Sequence, residues 1–136
     1  AKKNIVDLLI QKSKPYIYTT ASTPALAKGV SASLDIIFHG QMLRKKLKRN
    51  IELFRHSIKN KGLLLDSITA IQPLMIGNAN KALRIAEALK DSGFYVPAIR
   101  PPTVPINTSR LRVSLSSSHK RADILHLSNI INRVIN

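Results

Sequence analysis

The sequence has no cysteine, no tryptophan and few acidic or aromatic residues. Without cysteine the chain cannot form a disulfide bond or a Cys-based zinc site. No apolar run approaches the roughly 18 residues that a membrane-spanning helix needs. The N-terminus is a poor signal peptide, because its apolar run is short and contains Asp7. These absences predict a cytoplasmic protein that does not enter a membrane.

The charge of the chain is strongly positive. Among 136 residues, 22 are Lys or Arg and 7 are Asp or Glu, which gives a net charge of +15. The hydrophobic fraction of 44% is that of a globular domain and argues against a disordered basic tail. A basic nucleic-acid-binding module is therefore an alternative function.

The densest basic run, residues 44–49, lies in a predicted helix. It has no interleaved aromatic residues on which bases could stack, and no zinc-finger, helix-turn-helix or RNA-binding motif accompanies it. A solvated helix face is the preferred interpretation, and a nucleic-acid partner is not expected. An acidic protein partner for this helix is a further hypothesis.

The apolar spacing predicts an α+β fold with a small, mainly antiparallel sheet covered by helices on one side. Residues 68–76, 94–99 and 110–116 have the composition of extended segments. Pro73 has no N–H for a ladder bond, so the first segment is predicted to lie at a sheet edge or to have an irregular ladder. The other two flank a proline-rich loop and are predicted to pair antiparallel.

Four segments have helical spacing. A short helix is predicted over residues 4–11, followed by residues 16–20 (YIYTT) in an extended conformation. A long helix begins at Thr23 or Pro24 and is kinked, or divided into two, near Gly40. Two later helices are predicted to begin at Asn78 or Asn80 and near Ser118.

Two loops are candidate anion-binding sites. Thr19 and Thr20 precede a helix start, where free N–H groups and the helix dipole favour a phosphate, although many such hydroxyls only cap helices. Arg100 and Thr103 lie in the loop AIRPPTVP at residues 98–105. Its prolines restrict the backbone and suit a guanidinium that binds a carboxylate, although a surface loop with an ordinary salt bridge fits equally well.

Other chemistry has no support in the sequence. The four histidines are scattered and lack the spacing of a metal site, so no metal is predicted. His119 is interpreted as a capping or surface residue at the start of the last helix. The nucleophile and nucleotide motifs GxSxG, GxGxxG and GxxxxGK[ST] are absent.

Two segments together resemble a known family. The string GFYVPAIRPPTVPINTSRLRVSLSSSH at residues 93–119 and KPYIYTTASTPALA at residues 14–27 resemble the C-terminal region of 8-amino-7-oxononanoate synthases. These are α-oxoamine synthases, pyridoxal-phosphate enzymes of fold type I. The resemblance covers essentially the whole chain, and AIRPPTVP favours this family of biotin biosynthesis over the related glycine C-acetyltransferases and 5-aminolevulinate synthases.

The resemblance implies a reaction and a set of site residues. L-alanine condenses with a pimeloyl thioester of acyl-carrier protein or coenzyme A, with decarboxylation, in a homodimer that binds pyridoxal 5'-phosphate. Arg100 would bind the substrate carboxylate and Thr103 would contact substrate beside it. Thr19 and Thr20 would contact the cofactor phosphate of the partner subunit.

The resemblance also implies a domain division and a missing part. Residues 1–20 would end the large-domain segment and form a connector, and residues 21–136 would form the C-terminal small domain with a long linking helix. The Schiff-base lysine of the family lies in a Gly-Lys motif that would precede Ala1. The chain alone is therefore predicted to contain no catalytic residue and to be inactive. Another α-oxoamine synthase, such as glycine C-acetyltransferase, is the alternative enzyme.

Overall fold

The structure, a computed structural model, describes residues 2–135. The chain divides into two compact units, residues 1–40 and residues 41–136. The first unit contains three helices: α1 (Lys3–Lys12), α2 (Lys14–Ile17) and α3 (Pro24–His39). The predicted N-terminal helix is confirmed, and so is the helix start at Thr23, whose hydroxyl accepts a hydrogen bond from the Leu26 N–H at 3.4 Å.

The prediction of an extended segment over residues 16–20 is wrong for its first two residues. The N–H groups of Tyr16 and Ile17 both donate to the Ser13 carbonyl at 3.0 Å, so this part is a helical turn. Pro15 lies in the first turn of α2, where the helix needs no N–H and the fixed φ of proline suits the helix. Local backbone bonding overrides the β preference of these residues.

The apolar faces of the helices in the first unit are not buried within that unit. None of residues 2–40 is buried, and the side chains of Leu8, Leu9 and Leu34 are 58%, 57% and 47% exposed. Helices in proteins owe most of their stability to packing of the apolar face. The first unit itself does not supply that packing.

The long helix predicted from Thr23 is divided into two helices. α3 ends at His39, and α4 (Gln41–Ser57) begins directly after Gly40. Glycine lowers helix stability by about 1 kcal/mol relative to alanine, which favours a break at this position. The predicted division near Gly40 is confirmed.

The second unit combines helices with one sheet. Its elements after α4 are a short 3-10 helix (Lys61–Leu63), β1 (Ile71–Gly77), α5 (Ala79–Asp91), β2 (Ala98–Ile99), β3 (Ser109–Ser114) and α6 (Arg121–Ile135). The strands form an antiparallel sheet in the order β1-β3-β2. The edge position of β1, which contains Pro73, and the antiparallel pairing of the other two strands are therefore confirmed.

Two strands are shorter than predicted, for local reasons. β1 begins only at Ile71, because the hydroxyl of Ser67 donates to the Ile71 carbonyl at 2.6 Å and that of Thr69 accepts from the Ile71 N–H at 3.2 Å. β2 contains only two residues, because the Phe94 N–H closes the end of α5 by donating to the Leu89 carbonyl at 2.9 Å. Side-chain and capping bonds therefore replace the expected ladder bonds.

The core lies between the sheet and the three helices of the second unit. Alternate residues of β1 and β3 point into it and meet apolar side chains from each helix. The fully buried apolar residues are Phe54, Ile58, Leu74, Ala82, Leu89, Leu111 and Ile131. The other sheet face carries Pro73, Met75, Arg110 and Arg112, which confirms a sheet covered by helices on one side.

A buried glutamine connects α4 to the start of β1. Gln72 is fully buried, and its Oε1 accepts a hydrogen bond of 2.7 Å from Nη1 of Arg55. Its Nε2 donates to the Thr69 carbonyl at 2.6 Å, and Arg55 also donates to the Leu65 carbonyl at 3.2 Å. The segment between the 3-10 helix and β1 is thus fixed by polar bonds that hydrophobic patterning does not predict.

Replacing Gln72 with leucine is expected to lower the free energy of unfolding by about 2–3 kcal/mol. Leucine has a similar size, but it leaves the Thr69 carbonyl without its donor and removes the shorter of the two hydrogen bonds that Arg55 donates. Urea unfolding followed by circular dichroism measures the loss. Gln41→Leu, at the exposed first residue of α4, is the control and is expected to change stability by less than about 0.5 kcal/mol. Equal losses in the two variants would contradict the role of the buried amide.

Candidate substrate and cofactor site

The loop that contains Arg100 is anchored by strand pairing at both ends. Ala98 pairs with Leu111 and Ile99 pairs with Arg110, so the chain leaves the sheet at Arg100 and returns at β3. Short pairing of this kind fixes the two ends of the loop but leaves residues 100–108 outside the sheet. Arg100 is therefore the first residue beyond a strand, at a defined edge of the sheet.

The loop is held by its own backbone bonds. The Thr103 N–H donates to the Arg100 carbonyl at 3.0 Å across the two intervening prolines. The N–H and hydroxyl of Thr108 both donate to the Pro105 carbonyl, at 3.2 and 2.8 Å. Asn107 has a φ of 63°, a left-handed conformation that asparagine adopts more readily than most residues. These bonds and the prolines support the predicted stiff loop.

Arg100 and Thr103 both present side chains that are available to a ligand. Both residues are exposed, and within residues 2–135 neither side chain makes a hydrogen bond or an ion pair. The ordinary salt bridge that the sequence left open for Arg100 is not formed in this part of the chain. A guanidinium and a hydroxyl at the two ends of one tight turn can together bind a carboxylate.

Two further arginines lie on the open face of the sheet. Arg110 is paired with Ile99, next to Arg100, and its Nε donates to the Thr108 carbonyl at 3.1 Å, so it also stabilises the loop. Arg112 is exposed on the same strand face, and its N–H donates to the Pro97 carbonyl at 3.0 Å. The alternation of residues 110–113 predicts that both arginines lie on the outer face of the sheet. The pairing of Arg110 with Ile99 is what brings Arg110 beside the loop.

Thr19 and Thr20 lie in the first unit, in the segment between α2 and α3. Both are exposed, and neither hydroxyl has a hydrogen-bond partner among the described residues. Thr23 supplies the cap of α3, so the two threonines are not needed for capping. Two unpaired hydroxyls close to a helix N-terminus suit a phosphate group.

The loop before α6 is held by hydrogen bonds that involve His119 and Asn50. Nδ1 of His119 accepts a hydrogen bond from the Ser116 N–H at 3.2 Å, within the loop before α6, and His119 is an exposed surface residue. Asn50, which is buried, donates to the carbonyls of Ser116 and His119 at 2.9 and 3.2 Å and joins this loop to α4.

Among residues 2–135, no cluster of three or more His, Cys, Asp or Glu residues could hold a metal ion. The same residues contain no helix that is long and apolar enough to span a membrane.

Comparison with known proteins identifies the family. The model of the aminotransferase class I and II family matches residues 1–131. The chain belongs to this family. Relatives of this aminotransferase-family chain include the 8-amino-7-oxononanoate synthase of Paraburkholderia xenovorans, which is 49% identical over 127 residues, or 91% of the chain and 32% of the relative. The synthase of Pseudomonas syringae pv. syringae is 45% identical over 130 residues, or 95% of the chain and 33% of the relative.

Solved structures agree with the family at the level of the fold. The 8-amino-7-oxononanoate synthase of Francisella tularensis superposes with a TM-score of 0.80 at 30% identity, over 98% of this chain and 39% of that chain. A serine palmitoyltransferase from S. paucimobilis, solved with pyridoxal phosphate and myriocin, gives a TM-score of 0.77 at 27% identity, over 89% and 31%. The resemblance to 8-amino-7-oxononanoate synthases and the α+β fold class are confirmed. The chain spans about a third of the length of the curated relatives it matches.

Proposed function

We propose that the chain is part of a pyridoxal-phosphate-dependent 8-amino-7-oxononanoate synthase. The reaction is the condensation of L-alanine with a pimeloyl thioester, with loss of carbon dioxide, in biotin biosynthesis. The observation that carries the proposal is the unpaired guanidinium of Arg100 in a chain that is 49% identical to one of these synthases over 127 residues. The protein is proposed to be a cytoplasmic homodimer.

Arg100 is proposed to bind and orient the carboxylate of the substrate. Its charge is not used by any acid within residues 2–135, and the strand end fixes the backbone from which the guanidinium extends. The Thr103 hydroxyl, which ends the same turn, donates a hydrogen bond to the substrate beside the carboxylate. Two donors carried by the same tight turn orient the substrate for reaction.

Thr19 and Thr20 are proposed to bind the cofactor phosphate of the partner subunit. Their exposed, unpaired hydroxyls and their place before α3 fit a phosphate group. The chemistry that pyridoxal phosphate supplies when bound is an electron sink for the substrate carbanion. The lysine that anchors the cofactor is proposed to lie in a part of the protein other than these 136 residues. Without that anchor the chain alone is expected to be inactive.

The proposed domain organisation keeps residues 1–20 as the end of a large-domain segment with its connector. Residues 21–136 form the proposed small domain, with α3 as part of the linking helix. The boundary between the two compact units falls after residue 40, so α3 belongs to the first unit together with α1 and α2. An exposed helix such as α3 is suited to joining two domains, because its apolar side chains can pack against both.

The test is an assay of the full-length protein with pairs of amino acids and thioesters. Mass spectrometry is expected to detect 8-amino-7-oxononanoate from alanine and a pimeloyl thioester, at a rate at least about tenfold above that with glycine. The 136-residue chain with added pyridoxal phosphate serves as the control and is expected to give no product. Preference for glycine and an acetyl donor would favour a glycine C-acetyltransferase. Salt-sensitive nucleic-acid binding without turnover would favour a basic binding module.

A further inference from the structure

The second half of the loop at residues 100–108 lies against the corner between β1 and α5. Gly77 ends β1 with a φ of 82°, and a Cβ atom at this glycine would be 3.5 Å from the carbonyl oxygen of Asn107. The strand register gives the same placement, because Gly77 pairs with Ser109, which is fully buried. The loop therefore returns to β3 over a packed corner of the sheet.

Asn107 has a left-handed backbone at this corner. Among residues 2–135 it is the one residue other than glycine with a positive φ, at 63°. Glycine adopts this conformation freely, whereas a β-branched residue is strained in it. The direction in which the chain reverses before β3 therefore depends on the residue at position 107.

Arg110 binds the backbone at the end of the loop. Its side chain is half-buried, and its Nε donates to the Thr108 carbonyl at 3.1 Å. Within residues 2–135 the Arg110 side chain makes no other hydrogen bond and no ion pair. In this part of the chain its guanidinium therefore serves the backbone of the loop and not an acidic side chain.

Two consecutive turns connect these contacts to Arg100. Thr108, which Arg110 binds, donates its N–H and hydroxyl to the Pro105 carbonyl at 3.2 and 2.8 Å. The Thr103 N–H donates to the Arg100 carbonyl at 3.0 Å. One half-buried residue, at position 104, separates the two turns. A change in the second turn is therefore transmitted over a short distance to the turn that carries the substrate-binding side chains.

We propose that Arg110 and Asn107 are positioning residues that hold the backbone from which Arg100 and Thr103 extend toward the substrate carboxylate. Neither positioning residue is proposed to touch the substrate. Arg110 fixes the Thr108 carbonyl, and Asn107 sets the chain reversal at the β1–α5 corner. A displacement of about 1 Å in a binding group can lower a reaction rate about 100-fold. The inference rests on the proposed function, in which Arg100 binds the carboxylate, and adds the residues through which the loop is held.

The first test is steady-state kinetics of the full-length protein. Arg110→Met keeps the apolar stem and removes the donor, so it is expected to lower kcat/KM about tenfold. The loss should appear in KM for the same substrate whose KM rises in Arg100→Gln. Arg110→Lys keeps a donor and is expected to stay within about threefold of the unmodified protein. The matched control Arg133→Met, at an exposed position in the last turn of α6, is expected to stay within about twofold.

A double-mutant cycle separates positioning from direct substrate binding. In the Arg100→Gln background, Arg110→Met is expected to lower kcat/KM no more than about threefold further, because its effect passes through Arg100. The same tenfold loss in both backgrounds would show that Arg110 acts independently of Arg100 and would overturn the inference.

The conformation of the loop supplies a second test. Asn107→Gly is expected to keep kcat/KM within about twofold, and Asn107→Val to lower it about tenfold. Hydrogen exchange of the full-length protein, followed by mass spectrometry, is expected to be at least about fivefold faster at residues 103–108 in Arg110→Met and unchanged at residues 111–113.

Unchanged exchange in the loop, or full activity of both Arg110→Met and Asn107→Val, would contradict the positioning role. Turnover of alanine and a pimeloyl thioester by the unmodified protein separates this failure from failure of the proposed function. With such turnover, full activity of the two variants removes only the positioning role. Without it, the synthase itself is removed, and the carboxylate that Arg100 would bind is removed with it.

Discussion

Replacing Arg100 with glutamine is expected to reduce kcat/KM of the full-length protein about 100-fold. Loss of a bidentate, charge-assisted pair with a substrate carboxylate removes roughly 3 kcal/mol of binding. Steady-state kinetics with alanine and with the thioester varied in turn locate the affected carboxylate, because KM rises for the substrate that Arg100 binds. The thermal midpoint of unfolding is expected to stay the same, because the Arg100 side chain is exposed and has no partner within residues 2–135.

Two further variants separate the charge of Arg100 from its geometry. Arg100→Lys keeps the charge but not the planar fork, so it is expected to recover only part of the activity. Arg121→Gln removes the same charge at an exposed position, the first residue of α6, and is expected to keep kcat/KM within about twofold. Full activity of Arg100→Gln would show that this loop does not bind the substrate carboxylate.

Replacing Phe54 with alanine is expected to lower the free energy of unfolding by about 3–5 kcal/mol. Phe54 is fully buried on α4 and belongs to the cluster that includes Leu74, Leu111 and Ile131, so its removal leaves a cavity in the middle of the core. Urea unfolding of the chain, followed by circular dichroism, measures the loss. The second unit is expected to be only marginally stable in this variant, since whole domains have about 5–15 kcal/mol.

The matched control is the same substitution at an exposed phenylalanine. Phe38 on α3 is 73% exposed, so Phe38→Ala removes little buried area and also introduces a better helix former. It is expected to change the free energy of unfolding by less than about 0.5 kcal/mol. Similar losses from both substitutions would contradict the assignment of the core to the second unit.

Hydrophobic periodicity was sufficient to predict the main elements of the second unit. Leu111 and Val113 alternate with Arg110 and Arg112 in the segment predicted to be extended, which is the spacing of a half-buried strand, and both apolar residues are buried in β3. Pro73 has no N–H to donate and indicated an edge position or an irregular ladder, and β1 lies at an edge of the sheet. These predictions succeed because hydrophobicity and the presence of a backbone N–H are properties of each residue type.

Polar contacts between segments that are distant in the sequence could not be predicted from hydrophobic spacing. Gln72 has the sequence pattern of an ordinary polar strand residue, yet it is fully buried, and Arg55, 17 positions earlier, donates a hydrogen bond to its amide oxygen. Asn50 bonds to the carbonyls of Ser116 and His119, 66 and 69 positions later. Such pairs depend on how helices meet the sheet, and no local spacing encodes that.

The candidate site could be predicted only in part. The prolines around Arg100 indicated a stiff loop, and the structure adds the turn that brings Thr103 back to the Arg100 carbonyl. The position of Arg110 beside that loop depends on strand register, which the sequence left undetermined. The roles of Thr19, Thr20, Arg100 and Thr103 stay predictions, since they depend on ligands and a partner subunit.

The exposed apolar side chains of the first unit affect the solubility of the chain. Large side chains such as Tyr18, 79% exposed, and Phe38, 73% exposed, are in contact with water and can adhere to those of neighbouring molecules. A net charge of +15 keeps such molecules apart at low ionic strength. Salt shortens the range of this repulsion from about 10 Å at 0.1 M to about 3 Å at 1 M. The basic composition thus acts as a colloidal stabiliser, and added electrolyte removes its protection.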